Sequence, residues 1–166
     1  MTAAAVLTIY EFIGTSASPT VTSTLSLNLG STVSANLNST LYPVTVGTYG
    51  MSKILQLSFG GSFTTVSNIK VYVSAGTFVS GEVLNYGLSP TFHTSTGGSY
   101  ADTVATTAIP TALPSAANVT LNGTTTFTLT PSVNTTDYLF LQSSISVLCS
   151  ATAMNTKTIS VAWDET

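Results

Sequence analysis

Apolar and polar residues alternate along much of this chain with the period of a β-strand. Residues 53–76 contain two such runs, separated by a polar break that begins at Gly60 and Gly61. Successive side chains of a strand point to opposite faces, so each run is expected to bury one face. We interpret the two runs as a β-hairpin with its other face towards water, which needs a second layer to be stable. The apolar faces consist of Leu55, Leu57 and Phe59 in one run and of Ile69, Val71 and Val73 in the other.

Similar patterns, bounded by Gly, Pro, Ser and Asn, predict further short strands. They are expected at 5–13, 21–29, 82–86, 103–108, 138–148 and 157–163, with two more beside a tight turn at Asn122 and Gly123. No stretch shows helical periodicity. About eight to ten short strands with frequent turns predict an all-β protein, a β-sandwich of the immunoglobulin-like or jelly-roll type.

The chain shows no internal boundary between domains. No linker composition divides it, so residues 1–166 are predicted to form a single domain. Residues 1–50 stay open as an extended N-terminal arm or an interface segment. Segment 87–117 is long and rich in turn residues, and loops of this length often contact partners.

The composition indicates how such sheets meet water with few charges. Charged residues make up 5% of the chain, hydrophobic residues make up 43%, and about a third of the residues are Ser or Thr. Faces covered with hydroxyl groups are therefore expected. With three basic residues and a net charge of −3, the chain lacks the positive patch that binding to nucleic acid or to an anionic membrane requires. So little charge also gives little repulsion between copies, so the surface tolerates self-association.

The sequence shows no sign of a membrane segment or of a disulfide. No apolar run is long enough for a membrane span, and Thr8 and Glu11 interrupt the N-terminal run, so no signal peptide is predicted. Cys149 is the single cysteine and is expected to be buried and unreactive. Trp163 is expected to be buried between the sheets, on the same strand face as Ile159 and Val161.

The sequence contains no arrangement of residues that indicates a reaction. His93 is the only histidine, no G-x-S-x-G element is present, and an ordinary loop histidine is expected. Asp102 and Asp137 occur in turn sequences, where aspartate commonly caps backbone N–H groups. Asp164 and Glu165 are expected to be solvated at the chain end. We therefore predict no catalytic residue, no metal site, no cofactor and no enzymatic activity.

The first predicted strand carries large apolar groups on both faces. At an exposed sheet edge, such a strand would invite pairing with another chain. Residues 3–13 are therefore predicted to be covered by a second copy of the chain or by a surface beneath it. The candidate interface residues are Leu7, Ile9 and Ile13 on one face and Tyr10 and Phe12 on the other.

Five segments resemble a group of short virion structural proteins encoded by tailed bacteriophages. The segments keep their order and together span most of the chain after residue 50. They are 68–76 (NIKVYVSAG), 79–87, 104–110 with Pro114 after it, 137–142 (DYLFLQ) and 157–165 (KTISVAWDE).

The resemblance implies a non-enzymatic particle protein, more specifically a capsid decoration (cement) protein. Such proteins bind the outside of an icosahedral head, often as trimers, and hold neighbouring capsomers together. The implied partners are the major capsid protein and further copies of the chain. The implied location is the capsid surface of a virion assembled in the host cytoplasm. Two alternatives stay open: a tail or fibre adhesion module that binds a host surface glycan, and a small glycan-cleaving domain.

Overall fold

The computed structural model describes residues 4–15, 18–23, 27–34, 40–149 and 155–166. Within these ranges the chain contains nine β-strands and no helix, and hence no helix that could cross a membrane. The all-β prediction is confirmed. The strands are β1 (Ala5–Thr15), β2 (Ser18–Ser23), β3 (Lys53–Gly61), β4 (Val66–Ala75), β5 (Glu82–Ser89), β6 (Thr107–Ala108), β7 (Thr128–Leu129), β8 (Thr135–Ile145) and β9 (Thr158–Glu165).

The strands form two antiparallel sheets that face each other as a β-sandwich. The larger sheet has the order β2-β1-β3-β8-β5-β6, and the smaller sheet has the order β7-β4-β9. A continuous apolar core lies between them. Alternate residues of each central strand contribute to this core, as a period of two requires. Its most deeply buried members include Leu57, Phe59, Ile69, Val71, Leu139 and Leu141.

The two runs of 53–76 form strands as predicted, but the prediction that they form a hairpin is wrong. β3 pairs with β1 and β8 in the larger sheet, whereas β4 pairs with β7 and β9 in the smaller one. The chain crosses between the layers through residues 62–65, where Phe63 is buried in the core. Because the apolar faces of β3 and β4 cover each other across the core, their alternation is satisfied without any pairing between them.

The second strand is displaced from the predicted strand 21–29. It spans Ser18–Ser23 and pairs with β1. Leu27 and Leu29 lie outside any strand, yet both pack against the core. The apolar spacing here therefore indicates core contacts but not the hydrogen-bonded strand.

The tight turn at Asn122 and Gly123 is confirmed. Both residues have positive φ angles, 51° and 76°, as a two-residue hairpin turn of this kind requires. The strands predicted beside the turn are shorter than expected, because one bridge between Leu121 and Thr124 closes it. The predicted strand 103–108 is likewise reduced to the two residues of β6.

Trp163 lies on the predicted face but is only half-buried, so the prediction of burial between the sheets is wrong in degree. Its ring meets that of Phe59 edge-on, with centroids 5.3 Å apart. Ile159 and Val161 pack against the same core. Trp163 keeps part of its surface exposed because β9 is the outer strand of its sheet. Cys149 is buried, as expected.

A buried ion pair links β1 to β3 on the core side of the larger sheet. Nζ of Lys53 lies 2.8 Å from Oε1 of Glu11, and the two side chains are 2% and 1% exposed. Nζ also donates a hydrogen bond of 2.6 Å to the carbonyl of Ser34. Burying two charges costs several kcal/mol for each ion, which their attraction and the additional hydrogen bond offset. Either charge alone in this place would be strongly unfavourable.

Replacement of Lys53 tests how much each buried charge depends on its partner. Lys53→Met should lower the free energy of unfolding by about 3–5 kcal/mol, because the Glu11 carboxylate is left buried without its partner. The double variant Glu11→Leu/Lys53→Met should recover most of the loss, since apolar groups often replace a buried pair at little cost. Lys70→Met is the control, because Lys70 is half-buried and forms no ion pair within the described residues. Urea denaturation measures all three variants, and wild-type stability of Lys53→Met would contradict this account.

Candidate interaction surface

The first strand lies inside the larger sheet and not at a free edge. β1 pairs with β2 on one side and with β3 on the other. Leu7 and Ile9 pack against the core, Tyr10 and Phe12 belong to an apolar cluster on the opposite face, and Ile13 is half-buried. Residues 5–15 are therefore part of the sandwich and not an arm. Contact of these residues with a second copy stays a prediction, but the exposed edge that motivated it is absent.

The outer face of the larger sheet is covered near its centre by segment 90–106. Phe92 and Tyr138 pack around Phe12 there, with ring centroids 6.2 and 5.1 Å from the Phe12 centroid. The expectation of a face towards water is therefore wrong for this part of the sheet, because the long loop forms a third layer. The buried members of this second cluster are Phe12, Ile54, Ala105 and Phe140.

Gln142 fastens the loop to β8. Its side chain is fully buried, and its Oε1 accepts a hydrogen bond of 2.7 Å from the N–H of Asp102. Its Nε2 lies 3.1 Å from the carbonyl oxygens of Gly50 and Thr96 and 3.3 Å from that of Tyr100. An amide has only two N–H groups, so it shares them among these three acceptors. One side chain therefore holds two separate backbone segments against the strand.

Asp102 orders the same loop from within. Its Oδ1 accepts hydrogen bonds from the N–H groups of Val104 and Ala105, at 2.8 and 3.1 Å. Asp137 acts in the same way at the tight turn, where its carboxylate accepts the N–H of Asn122 at 2.8 Å and that of the next residue at 2.9 Å. Capping of the backbone is confirmed for both aspartates, but the prediction of a turn position is wrong for Asp137, which lies in β8.

His93 lies in the loop, where its ring packs against the second cluster. The ring stacks on that of Phe140, with centroids 4.0 Å apart. Its Nδ1 lies 3.2 Å from the carbonyl of Thr94, and its Nε2 lies 3.7 Å from Oδ1 of Asp102, beyond hydrogen-bond distance. Among the described residues, no hydroxyl group is hydrogen-bonded to the ring, although a serine or threonine nucleophile would need that bond. This is the environment of a packed loop histidine.

The two acidic residues at the end of β9 both contact their own chain. Asp164 is exposed and accepts a hydrogen bond of 2.9 Å from Nδ2 of Asn68. Glu165 accepts one of 2.8 Å from the backbone N–H of Ala5, so the prediction of a solvated end is wrong for Glu165. Within the described ranges, no three His, Cys, Asp or Glu side chains come close enough to hold a metal ion.

Four exposed apolar side chains lie in the segments beside the end of β8 and the start of β5. The predicted strand 138–148 is too long, because β8 stops at Ile145 and the chain turns away from the sheet. The exposed fractions of the four side chains range from 39% to 88%. We call them the loop-end patch, which consists of Val46, Val83, Val147 and Leu148.

Two members of the loop-end patch, Val83 and Val147, line a shallow cleft of about 370 Å³. Gly47 lies directly against Val147, since a Cβ atom at Gly47 would be only 2.7 Å from Cγ1 of Val147. The N–H of Gly47 donates a hydrogen bond of 2.7 Å to the carbonyl of Ile145, which fixes this segment beside β8. None of the residues that line the cleft is charged. An exposed, uncharged apolar surface is typical of a contact site for another macromolecule.

Comparison of the chain with models of protein families, with curated protein sequences and with solved structures gives no match in any of the three. Its class is therefore defined by its own fold and surface. The chain is an all-β sandwich that carries a third layer on its larger sheet and exposed apolar side chains at one end.

Replacement of Gln142 should loosen the third layer. Gln142→Leu leaves three carbonyl groups and the N–H of Asp102 without this partner, at a cost of about 1–3 kcal/mol for each group that stays buried. We expect the free energy of unfolding to fall by at least about 3 kcal/mol. Gln56→Leu is the matched control, because Gln56 is half-buried on β3 and donates one hydrogen bond, to the carbonyl of Thr136. It should cost about 1 kcal/mol.

Denaturant unfolding gives both losses in stability, and limited proteolysis shows whether segment 90–106 is cleaved first in Gln142→Leu. Equal losses for the two variants, with no cleavage in that segment, would show that Gln142 does not fasten the loop.

Proposed function

We propose that the chain is a non-enzymatic structural protein of a tailed-phage virion, a decoration (cement) protein that binds the outside of the icosahedral head and stabilises it. The observation that carries the proposal is the loop-end patch, because its apolar side chains are exposed and two of them, Val83 and Val147, line an uncharged cleft. The resemblance of five segments to phage virion proteins supplies the kind of particle.

The chemistry of the patch suits contact with a protein surface. Protein–protein interfaces combine an apolar centre with a rim that makes hydrogen bonds. Here Val83 and Val147 supply apolar surface, while Thr48, Ser144 and Ser146 line the same cleft with hydroxyl groups. Neither a charged ligand nor nucleic acid would find a complementary charge in this cleft. The proposed partner is the major capsid protein.

Hydrogen bonds to β8 hold the segments beside the loop-end patch in place. The segment before β3 is bonded to β8, with the N–H of Gly50 donating to the carbonyl of Ser143 at 2.9 Å. Gln142 holds the neighbouring loop on the same strand. A surface that is already ordered loses little conformational entropy on binding, which favours affinity.

Binding of many copies to a symmetric head increases the retention that a weak contact gives. A protein that binds the assembled head but not its separate subunits shifts the equilibrium towards the head. When many copies bind, and each copy touches more than one capsomer, weak contacts add up to strong retention. We propose that the protein acts as a homo-oligomer, with the trimer as the form that the resemblance implies. Its low charge permits close approach of copies.

A charge placed in the patch tests the proposal. Leu148→Asp should lower the affinity for heads that lack this protein at least about tenfold, because a carboxylate in an apolar interface loses its water. Val133→Asp is the matched control, since Val133 is 51% exposed in the turn that precedes β8, at the opposite end of that strand. Co-sedimentation with the heads measures occupancy, and circular dichroism verifies the fold. Full occupancy by Leu148→Asp would overturn the proposal.

The same preparation distinguishes adhesion from decoration. Tyr100 is 73% exposed in the long loop, where an adhesion module would place a ring for stacking on a sugar. Tyr100→Ala should leave both decoration and attachment to host cells unchanged if the protein is a decoration protein. Loss of host attachment with normal decoration would favour the adhesion alternative.

A further inference from the structure

β9 spans Thr158–Glu165 and forms one edge of the smaller sheet. Among the described strands it pairs with β4 alone, and no described strand pairs with its outer side. The opposite side of β4 is closed by β7 and by the segment before it. The N–H of Val73 donates to the carbonyl of Pro110 at 2.8 Å. The side chain of Asn118 bonds the N–H and the C=O of Val71, at 2.8 and 2.9 Å.

These contacts fix the direction of the backbone groups of β4. The N–H groups of Val71 and Val73 point away from β9, because their acceptors lie on the other side. Successive residues of a strand direct their N–H and C=O groups to opposite sides. Those of Lys70 and Tyr72 therefore point towards β9.

The register of the β4–β9 pair shows which residues of β9 point towards β4. Lys70 lies opposite Ala162 and Tyr72 lies opposite Ser160, so these are the hydrogen-bonded pairs of the ladder. The alternate residues of β9 therefore direct their N–H and C=O groups away from β4. No backbone hydrogen bond to these residues occurs in the described part of the chain. The outward-facing residues are Ile159, Val161 and Trp163.

This edge has none of the usual protections against pairing except charge, which is confined to Asp164 and Glu165 at the end of β9. Proteins protect edge strands by short length, by proline, by charge or by a bulge. β9 has 8 residues without Pro or Gly, and at both irregularities of the β4–β9 register the extra residue belongs to β4. By comparison, the edge strands of the larger sheet are protected, since β2 contains Pro19 and β6 has only 2 residues. The outer side of β9 is therefore a ready site for a further strand.

We propose that a second copy of this chain covers the edge, with the two β9 strands antiparallel about a two-fold axis. Val161 then lies opposite Val161 of the partner subunit, and Ile159 lies opposite Trp163 of the partner subunit. All three outward-facing residues of each strand find partners for N–H and C=O, and two smaller sheets join into one. Opposed residues share a face, so the core-facing side chains continue across the junction. A shift of one residue would place core-facing side chains opposite solvent-facing ones.

The charges of the strand favour this occupant. Lys157 precedes β9, while Asp164 and Glu165 end it. In an antiparallel pair, the basic end of each copy meets the acidic end of the other, with Lys157 opposite Glu165 of the partner subunit. Nζ of Lys157 already lies 2.6 Å from Oε1 of Glu82, and Oε1 of Glu165 already accepts the N–H of Ala5, so the new contact would share both groups. β9 is thus complementary to itself in hydrogen bonding, in apolar face and in charge.

The contact rests on β9 alone and not on the proposed decoration of a capsid. None of the four residues of the loop-end patch belongs to β9. In an assembly built from trimers, the two-fold contact would join one trimer to the next.

Val161→Pro tests the pairing. It removes an outward N–H that the chain's own ladder does not use, and proline is tolerated at such edge positions. Val161→Thr is the matched control, because it keeps the N–H and the branched shape. In sedimentation equilibrium at rising concentration, the wild-type protein and Val161→Thr should approach twice the mass of Val161→Pro, which is the chain mass of 17.1 kDa where β9 makes the one contact between copies.

Two results would overturn the proposal. One is a wild-type protein that stays monomeric, which would leave the edge to a different chain such as the capsid protein. The other is a folded Val161→Pro that self-associates as the wild-type protein does.

Cysteine cross-linking tests the register and does not depend on the proline variant. Ser160 would lie opposite Ala162 of the partner subunit, in a pair without hydrogen bonds whose Cα atoms are about 4.5 Å apart. A disulfide spans that distance. Ser160→Cys and Ala162→Cys should therefore cross-link faster when mixed under oxidising conditions than either does alone. The wild-type protein controls for Cys149. Cross-linking no faster in the mixture than in the separate variants would contradict the arrangement.

Discussion

The burial of β8 on both faces is the constraint on which the rest of this structure depends. Leu139 and Leu141 face the core between the sheets, whereas Phe140 and Gln142 face the opposite side and are equally buried. The outer face of the larger sheet therefore needs a cover of its own, which segment 90–106 supplies. A buried amide must have hydrogen-bond partners, and the backbone of this loop provides them. Packing and hydrogen bonding thus act on the same strand and hold three layers together.

Most of the few charged side chains form ion pairs or hydrogen bonds within the molecule. Lys53 pairs with Glu11, and Lys157 pairs with Glu82 while its ammonium group lies 4.8 Å from the centroid of the Phe78 ring. The acidic side chains of both Asp102 and Asp137 are buried as backbone caps. The remaining surface consists mostly of hydroxyl groups, backbone groups and apolar side chains. Such a surface gives little long-range steering or repulsion, so contact depends on shape, hydrogen bonds and apolar area.

The alternation of the sequence predicted where most strands lie, because side-chain direction is a local property of the backbone. It could not predict which strands pair, since β3 and β4 have the same alternation whether they lie side by side or face each other across the core. The cap made by Asp102 was predictable, because its partners are two and three residues further along the chain. The turn that Asp137 caps lies 14 and 15 residues away, which the local sequence does not indicate. The role of Gln142 was not predictable either, since in the pattern it occupies a polar position of an alternating strand.

The contact surfaces were harder to predict than the strands. Val147 and Leu148 are adjacent apolar residues, a departure from alternation that indicates the end of a strand, but their exposure depends on where the neighbouring loops lie. The candidate residues of β1 were chosen for apolar character on both faces. That character has a different cause, because β1 meets the core on one side and the second cluster on the other. Apolar residues on both faces of a strand do not by themselves show whether a partner chain or a third layer of the same chain covers them.

A cryo-EM map of purified heads that carry this protein tests most directly the claim that its uncharged surfaces bind it to a capsid. The account predicts density for the sandwich on the outer surface of the shell, with Val147 and Leu148 in contact with the capsid protein. A map that places the sandwich on the tail or fibres, or that leaves the loop-end patch in solvent on the shell, would contradict it.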